Sequence, residues 1–79
     1  MIRISKSSRL EPAEIIGRAE AYFHGGEGLD EVERGSCCIS FAGGGGEVTV
    51  TVVEEEGGRS VEVLSREFDY QAKRFLERI

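Results

Sequence analysis

The stretch Glu47–Val53, EVTVTVV, is the clearest structural signal in the chain. Its side chains alternate, so an extended strand would place valines on one face and threonines on the other. The two sets are Val48, Val50 and Val52 against Thr49 and Thr51. Such a pattern, with period two and one apolar face, predicts an antiparallel sheet covered on a single side.

Two further strands are predicted beside it. Ser36–Ala42 precedes the valine strand across the tetraglycine Gly43–Gly46, and Ser60–Ser65 follows it across a charged turn, Glu54–Gly58. Alternating segments joined by short turns predict an antiparallel meander. The tetraglycine is interpreted as a hairpin turn rather than a phosphate cradle, because such cradles lead into a helix and this one leads into a strand. Met1–Ser5 also alternates and predicts a short strand at an edge of the sheet.

One helix is predicted before this meander in the sequence, and a second helix is predicted after it. Pro12–His24 carries apolar residues at steps of three and four, begins after Glu11 as N-cap and stops at two glycines. Arg66–Ile79 carries a second apolar stripe, with Ser65 as the preferred capping residue. The acid-rich segment Glu27–Gly35 is interpreted as a loop with at most a brief extended piece.

Together these elements predict a single α+β domain over residues 1–79. Both helices need cover for an apolar stripe, and the strands offer one strongly apolar face. We therefore expect a two-layer sandwich: an antiparallel three- to four-stranded sheet, chain order β-α-β-β-β-α, with both helices on one face. The expected sheet face of the core consists of Ile39, Phe41, Val48, Val50, Val52, Val61 and Val63.

Charge and cysteine content exclude several classes of protein. The net charge of −5 argues against general nucleic-acid binding, which depends on cationic contacts to phosphate. No apolar stretch approaches the ~20 residues of a membrane-spanning helix. Cys37 and Cys38 are the only cysteines, and adjacent residues form a disulfide only with strain, which indicates reduced thiols and a cytoplasmic protein. Cys37 is expected in the core and Cys38 on the opposite face of the sheet.

The sequence carries no recognisable catalytic or metal motif. His24 is the only histidine, and neither it nor the cysteines show the paired spacings of a zinc site. No nucleophile is placed beside a base, and no cofactor fingerprint is present. We therefore expect no catalytic residues, no cofactor and no metal, and a binding protein rather than an enzyme.

The leading functional hypothesis is a protein-interaction or self-associating module. The sheet face turned away from the helices, called the outer face below, is small, uncharged except for one glutamate, and partly apolar. Its expected residues are Cys38, Ser40, Ala42, Thr49, Thr51, Val53, Glu62 and Leu64. A homodimer is favoured, through this face or the edge of the first strand, because a small domain gains from extra burial.

The alternative is a small-ligand-binding domain, with the ligand held between the helices and the sheet. Tyr22, Phe23, Tyr70 and Phe75 are the side chains that could line such a pocket, although helical spacing also explains each of them as core.

Overall fold

The computed structural model describes residues 1–79 and shows an α+β fold with one five-stranded antiparallel sheet and two helices. The strands are β1 (Ile2–Ser7), β2 (Asp30–Arg34), β3 (Cys38–Gly43), β4 (Gly46–Glu55) and β5 (Gly58–Arg66). The helices are α1 (Pro12–Ala19), which continues as a π-helical segment (Glu20–Gly26), and α2 (Asp69–Glu77). The strands lie in the order β1-β5-β4-β3-β2, so β4, the valine strand, is the centre of the sheet.

The prediction of three to four strands was wrong by one strand, and the chain order is β-α-β-β-β-β-α. The missing strand is β2, inside the segment Glu27–Gly35 that was interpreted as a loop. All five of its residues are exposed, and a bulge between Glu31 and Glu33 interrupts the alternation. The strand is held by backbone pairing with β3, and its sequence therefore shows no alternating apolar pattern from which it could be predicted.

The first helix begins as predicted, with Pro12 in its first turn and Glu11 in extended conformation at the N-cap. It changes character after Ala19, where the π-helical segment widens the turn; the Glu27 N–H donates to the Tyr22 carbonyl at 2.9 Å, a five-residue step.

The second helix starts later than predicted, at Asp69 rather than Arg66, because β5 extends through Arg66. Glu67 then turns the chain with φ of 77°. Ser65 does not occupy the N-cap position; its buried hydroxyl instead accepts the Phe68 N–H at 3.1 Å, just before the helix.

Fifteen buried hydrophobic residues form one cluster that contains all seven predicted sheet residues. Both helices contribute to this same cluster: Ile15, Ile16, Ala19 and Phe23 from the first and its π-helical extension, and Ala72, Phe75 and Leu76 from the second. The Phe23 ring lies 5.4 Å from that of Phe41 in the sheet and 5.3 Å from that of Phe75 in α2. Both helices therefore cover the valine face and leave the opposite face without a helix.

Cys37 corrects another expectation, because it is exposed and precedes β3 instead of lying in the core. The pairing of β2 with β3 ends at Arg34 and Ile39, and the chain between them turns as a loop. Cys37 keeps only its backbone in the sheet, where its carbonyl accepts the Val52 N–H at 2.7 Å. Cys38 faces away from the core, as expected, and is half-buried.

The tetraglycine forms the predicted hairpin turn between β3 and β4. Gly43 pairs with Gly46, and the two residues between them, Gly44 and Gly45, have φ of 57° and 85°. These left-handed values favour glycine and suit a two-residue hairpin.

Candidate functional site

The outer face is assembled from β3, β4 and β5, and the sheet register brings its predicted residues together. Cys38 pairs with Thr51, and Ser40 pairs with Thr49. On the other side of β4, Thr49 pairs with Leu64 and Thr51 with Glu62. Val53 and Ala42 extend the same face toward its two ends, since they alternate with the buried residues of their strands.

The polar groups of the outer face are partly satisfied within the sheet. Every predicted residue on it is half-buried by its neighbours in the sheet. The hydroxyls of Ser40 and Thr49 lie 2.9 Å apart and hydrogen-bond to each other across the strands. If another surface covered this face, few polar groups without a hydrogen-bond partner would be removed from water.

Charges lie at opposite sides of the outer face. One transverse row runs, by pairing register, through Arg3, Leu64, Thr49, Ser40 and Glu33. It begins with Arg3 on β1, whose guanidinium lies 3.8 Å from the Glu62 carboxylate on the same face, and ends with the Glu33 carboxylate on β2. The next row runs from Arg66 on β5 through Glu47 and Ala42 to Asp30 on β2, and its cation is paired with Glu47 at 3.5 Å. The sequence prediction missed Glu33 and Asp30, because β2 was not recognised as a strand.

Neither edge of the sheet is well suited to pair with another strand. The β2 edge is bulged near Val32 and rich in charge. On the β1 edge, the Lys6 ammonium reaches back to α2 and donates to the carbonyls of Leu76 at 2.9 Å and Ile79 at 2.7 Å. Bulges and inward-directed charges are features that discourage edge-to-edge association.

A second feature is a groove between the two helices, on their solvent side, with a volume of about 650 Å³. Two stripes with four-residue spacing line it: Arg18, Tyr22 and Gly26 from the first helix and its π-helical extension, and Tyr70 and Arg74 from α2 with Arg78 at its C-cap. Ala21, Glu27, Phe75 and Ile79 complete the lining. We call it the interhelical groove.

Contacts within the interhelical groove fix several of its side chains. The Arg78 guanidinium lies 5.4 Å from the centre of the Tyr22 ring, and Arg18 donates to the Arg78 carbonyl at 3.2 Å. Burial, and then the neighbouring Glu27 carboxylate, raise the pKa of Tyr22 above its ordinary value.

Core side chains lie between the helices and the sheet, where the alternative prediction places a ligand. Phe23 occupies that space and is fully buried against Phe41 and Phe75. Of the four proposed lining residues, Tyr22, Tyr70 and Phe75 line the interhelical groove instead. The sequence prediction missed Arg18 and Glu27, although the four-residue spacing from Arg18 to Tyr22 indicates their common face.

The structure places no group of three or more histidine, cysteine or acidic side chains where they could hold a metal ion. The Nδ1 of His24 instead donates to the Leu29 carbonyl at 2.7 Å. Neither helix has the length and apolar character needed to cross a membrane.

Comparison of the chain with models of known families, with curated proteins and with solved structures finds no match.

Proposed function

We propose that this protein is a self-associating module whose outer face forms a two-fold symmetric homodimer. The carrying observation is the polarity of the transverse row from Arg3 on one edge strand to Glu33 on the other. The central strand β4 lies midway between these two charges.

Consider a two-fold axis that is parallel to the strands and passes over β4. It would place β1 of each copy opposite β2 of the other copy. Arg3 would then face the partner's Glu33, and Glu33 the partner's Arg3, so each interface would contain this ion pair twice. An axis of this kind buries the same patch on both copies, as a closed dimer requires. Charge complementarity at the rim would select this orientation over others.

Most side chains at the centre of the proposed interface are small and uncharged; the exception is Glu62, whose carboxylate lies 3.8 Å from the Arg3 guanidinium of the same copy. Near the axis, Thr49 and Thr51 would each contact the same residue of the partner. On either side of the axis, Leu64 would contact the partner's Ser40. Two sheet faces of this kind pack about 10 Å apart with their strands nearly aligned. Glu47 is the acid at one end of β4, and Arg66 offsets its charge at 3.5 Å.

The size of the outer face sets the expected strength of the dimer. Five strands about 4.8 Å apart, with a longest strand of about 34 Å, limit the footprint to roughly 800 Å² per copy. The other strands are shorter than β4, so the area falls below that of a standard interface, also about 800 Å² per partner. We therefore expect a reversible dimer in the micromolar range rather than an obligate one.

The proposal assigns binding rather than catalysis, since no nucleophile, base and cofactor site come together in the chain. We place the module in the cytoplasm because Cys37 and Cys38 are both unpaired thiols.

Sedimentation velocity over a concentration series tests the proposal. The wild-type chain should shift from monomer to dimer as its concentration rises through the micromolar range. Thr51→Lys should move this transition to higher concentration by about tenfold or more, because two ammonium groups would meet near the axis. Val53→Glu on the same strand should act in the same direction.

Ser36→Lys is the matched control, since it adds the same charge at an exposed residue outside the outer face. It should leave the transition unchanged, and circular dichroism should show all three variants folded. A monomer at every concentration, or a dimer indifferent to Thr51→Lys and Val53→Glu, would refute the proposed interface.

A further inference from the structure

The interhelical groove has a charge opposite to that of the whole chain. Its lining contains three arginines and one glutamate, whereas the chain has a net charge of −5. Cations gathered in a concave site on an acidic protein create a local field that attracts anions. This concentration of arginine is not needed for the core, because the guanidinium groups of Arg18 and Arg74 are half-exposed.

The arginines of the groove are positioned but not fully neutralised. Arg78 has no carboxylate within 4.0 Å and is held instead over the Tyr22 ring. Arg74 is 3.7 Å from Glu77, too long for a strong hydrogen bond. Arg18 has one close acid, Glu14, at 3.1 Å. Guanidinium groups in this condition retain donors that can bind a phosphate oxygen.

Aromatic side chains supply the other part of the site. Tyr70 is 69% exposed, so a ring face is open to solvent beside Arg74, one helical turn further along α2. Tyr22 is held in place by Phe23 at 5.0 Å and Phe75 at 5.9 Å between ring centres. A planar ligand could therefore stack on the exposed Tyr70 ring while its charged group contacts the arginines.

The backbone of the first helix is adapted to this groove. The π-helical segment contributes Tyr22 and Gly26 to the lining, and π-helical turns are rare and occur frequently at functional sites. The volume of about 650 Å³ lies within the range of small-molecule sites, ~300–1,000 Å³.

From these observations we infer that the interhelical groove binds a small organic anion that combines a planar aromatic ring with a phosphate group. A phosphate is preferred to a single carboxylate because three arginines on two helices line the same groove, more donors than one carboxylate can use. The groove is on the far side of the helices from the outer face, so this binding is independent of the proposed dimer.

Titration with three probes separates the ring from the charge: adenosine monophosphate, adenosine and inorganic phosphate. Chemical-shift changes in the two-dimensional amide NMR spectrum give both the affinity and the place of binding. We expect adenosine monophosphate to bind and to shift the amides of Tyr22, Gly26 and Arg74. Adenosine and phosphate should each bind at least about tenfold more weakly, because each lacks one of the two contacts.

Variants on α2 test the assigned residues. Arg74→Ala and Arg78→Ala should each weaken binding of adenosine monophosphate by about tenfold, and Tyr70→Ala by a comparable factor. Lys73→Ala is the matched control: it removes an exposed cation from the same helix, but from a side chain outside the groove. It should change the affinity less than twofold, on the scale of a surface charge acting at a distance.

Several results would overturn the inference. They are the absence of shifts at millimolar adenosine monophosphate, equal binding by phosphate alone, equal binding by adenosine alone, or an equal loss in Lys73→Ala. Failure of the outer-face variants to affect dimerisation would leave this test unaltered, so the two proposals fail separately.

Discussion

At the scale of the residue, Gly46 is the glycine with the least room for a side chain. A Cβ there would contact the Arg66 carbonyl and lie 2.7 Å from both the Glu67 Cβ and the Phe68 ring. Because one of these neighbours is backbone, Gly46→Ala should lower the free energy of unfolding by about 1–3 kcal/mol, the usual cost of overpacking. Urea denaturation measures this change. Gly58→Ala is the control, since nothing lies within 4 Å of its added methyl group; equal stability of the two variants would contradict the packing described.

Arg34 and Glu31 provide a second test at the same scale. Arg34 donates to both carboxylate oxygens of Glu31, at 3.0 and 2.8 Å, and this lowers the pKa of Glu31. A lowered pKa in the folded state stabilises the fold above the ordinary glutamate pKa, and the effect is lost as pH falls through the folded-state value. Arg34→Gln should therefore raise the pKa of Glu31, as followed by NMR of its carboxyl carbon. Arg66→Gln should leave the Glu31 titration unchanged, and an unaltered titration in Arg34→Gln would be the contrary result.

At the scale of the element, Lys6 connects the edge strand β1 to the end of α2. Its ammonium donates to two carbonyls near the helix C-terminus, where a cation is also favoured by the helix dipole. Lys6→Met should cost about 0.5–1.5 kcal/mol and speed amide hydrogen exchange in the last turn of α2. Lys73→Met, on the same helix but without such contacts, should do neither. Unchanged exchange in Lys6→Met would show that the two bonds do not hold the helix end.

The elements also show which parts of the fold the sequence could reveal. The central strand β4 was predictable because each buried valine alternates with a half-exposed residue, so its side chains record its burial. The strand β2 was not, since its five exposed residues are ordered by backbone hydrogen bonds that leave no side-chain pattern. The π-helical segment was not predicted for a similar reason. It differs from an α-helix in its backbone hydrogen bonds, while Phe23 stays buried in the core as it would in an α-helix.

At the scale of the whole molecule, the predicted outer face came together because it follows from the alternation of three neighbouring strands. The opposition of Arg3 and Glu33 could not be foreseen. It requires β1 to lie beside β5, at the far end of the sequence, and requires β2 to exist. The interhelical groove likewise depends on how two helices from opposite ends of the chain pack side by side, and the apolar periodicity of either helix does not determine this.

The proposed dimer predicts how its affinity responds when the charge of Arg3 or of Glu33 is reversed. Arg3→Glu would place two acids opposite each other, and Glu33→Arg would place two cations there, so either change should weaken the dimer. Two symmetry-related pairs are altered at once, which gives an expected loss of about tenfold in affinity. Arg9→Glu, an equal change of charge at an exposed residue outside the face, should have little effect.

The most direct measurement is therefore the dimer dissociation constant of the charge-swapped double variant Arg3→Glu/Glu33→Arg, determined by sedimentation velocity beside both single variants. We expect each single variant to be weakened and the double variant to return to within about twofold of the wild type, because the pair is restored with its polarity reversed. A double variant as weak as the sum of the two single losses would contradict the proposed two-fold arrangement of the outer face.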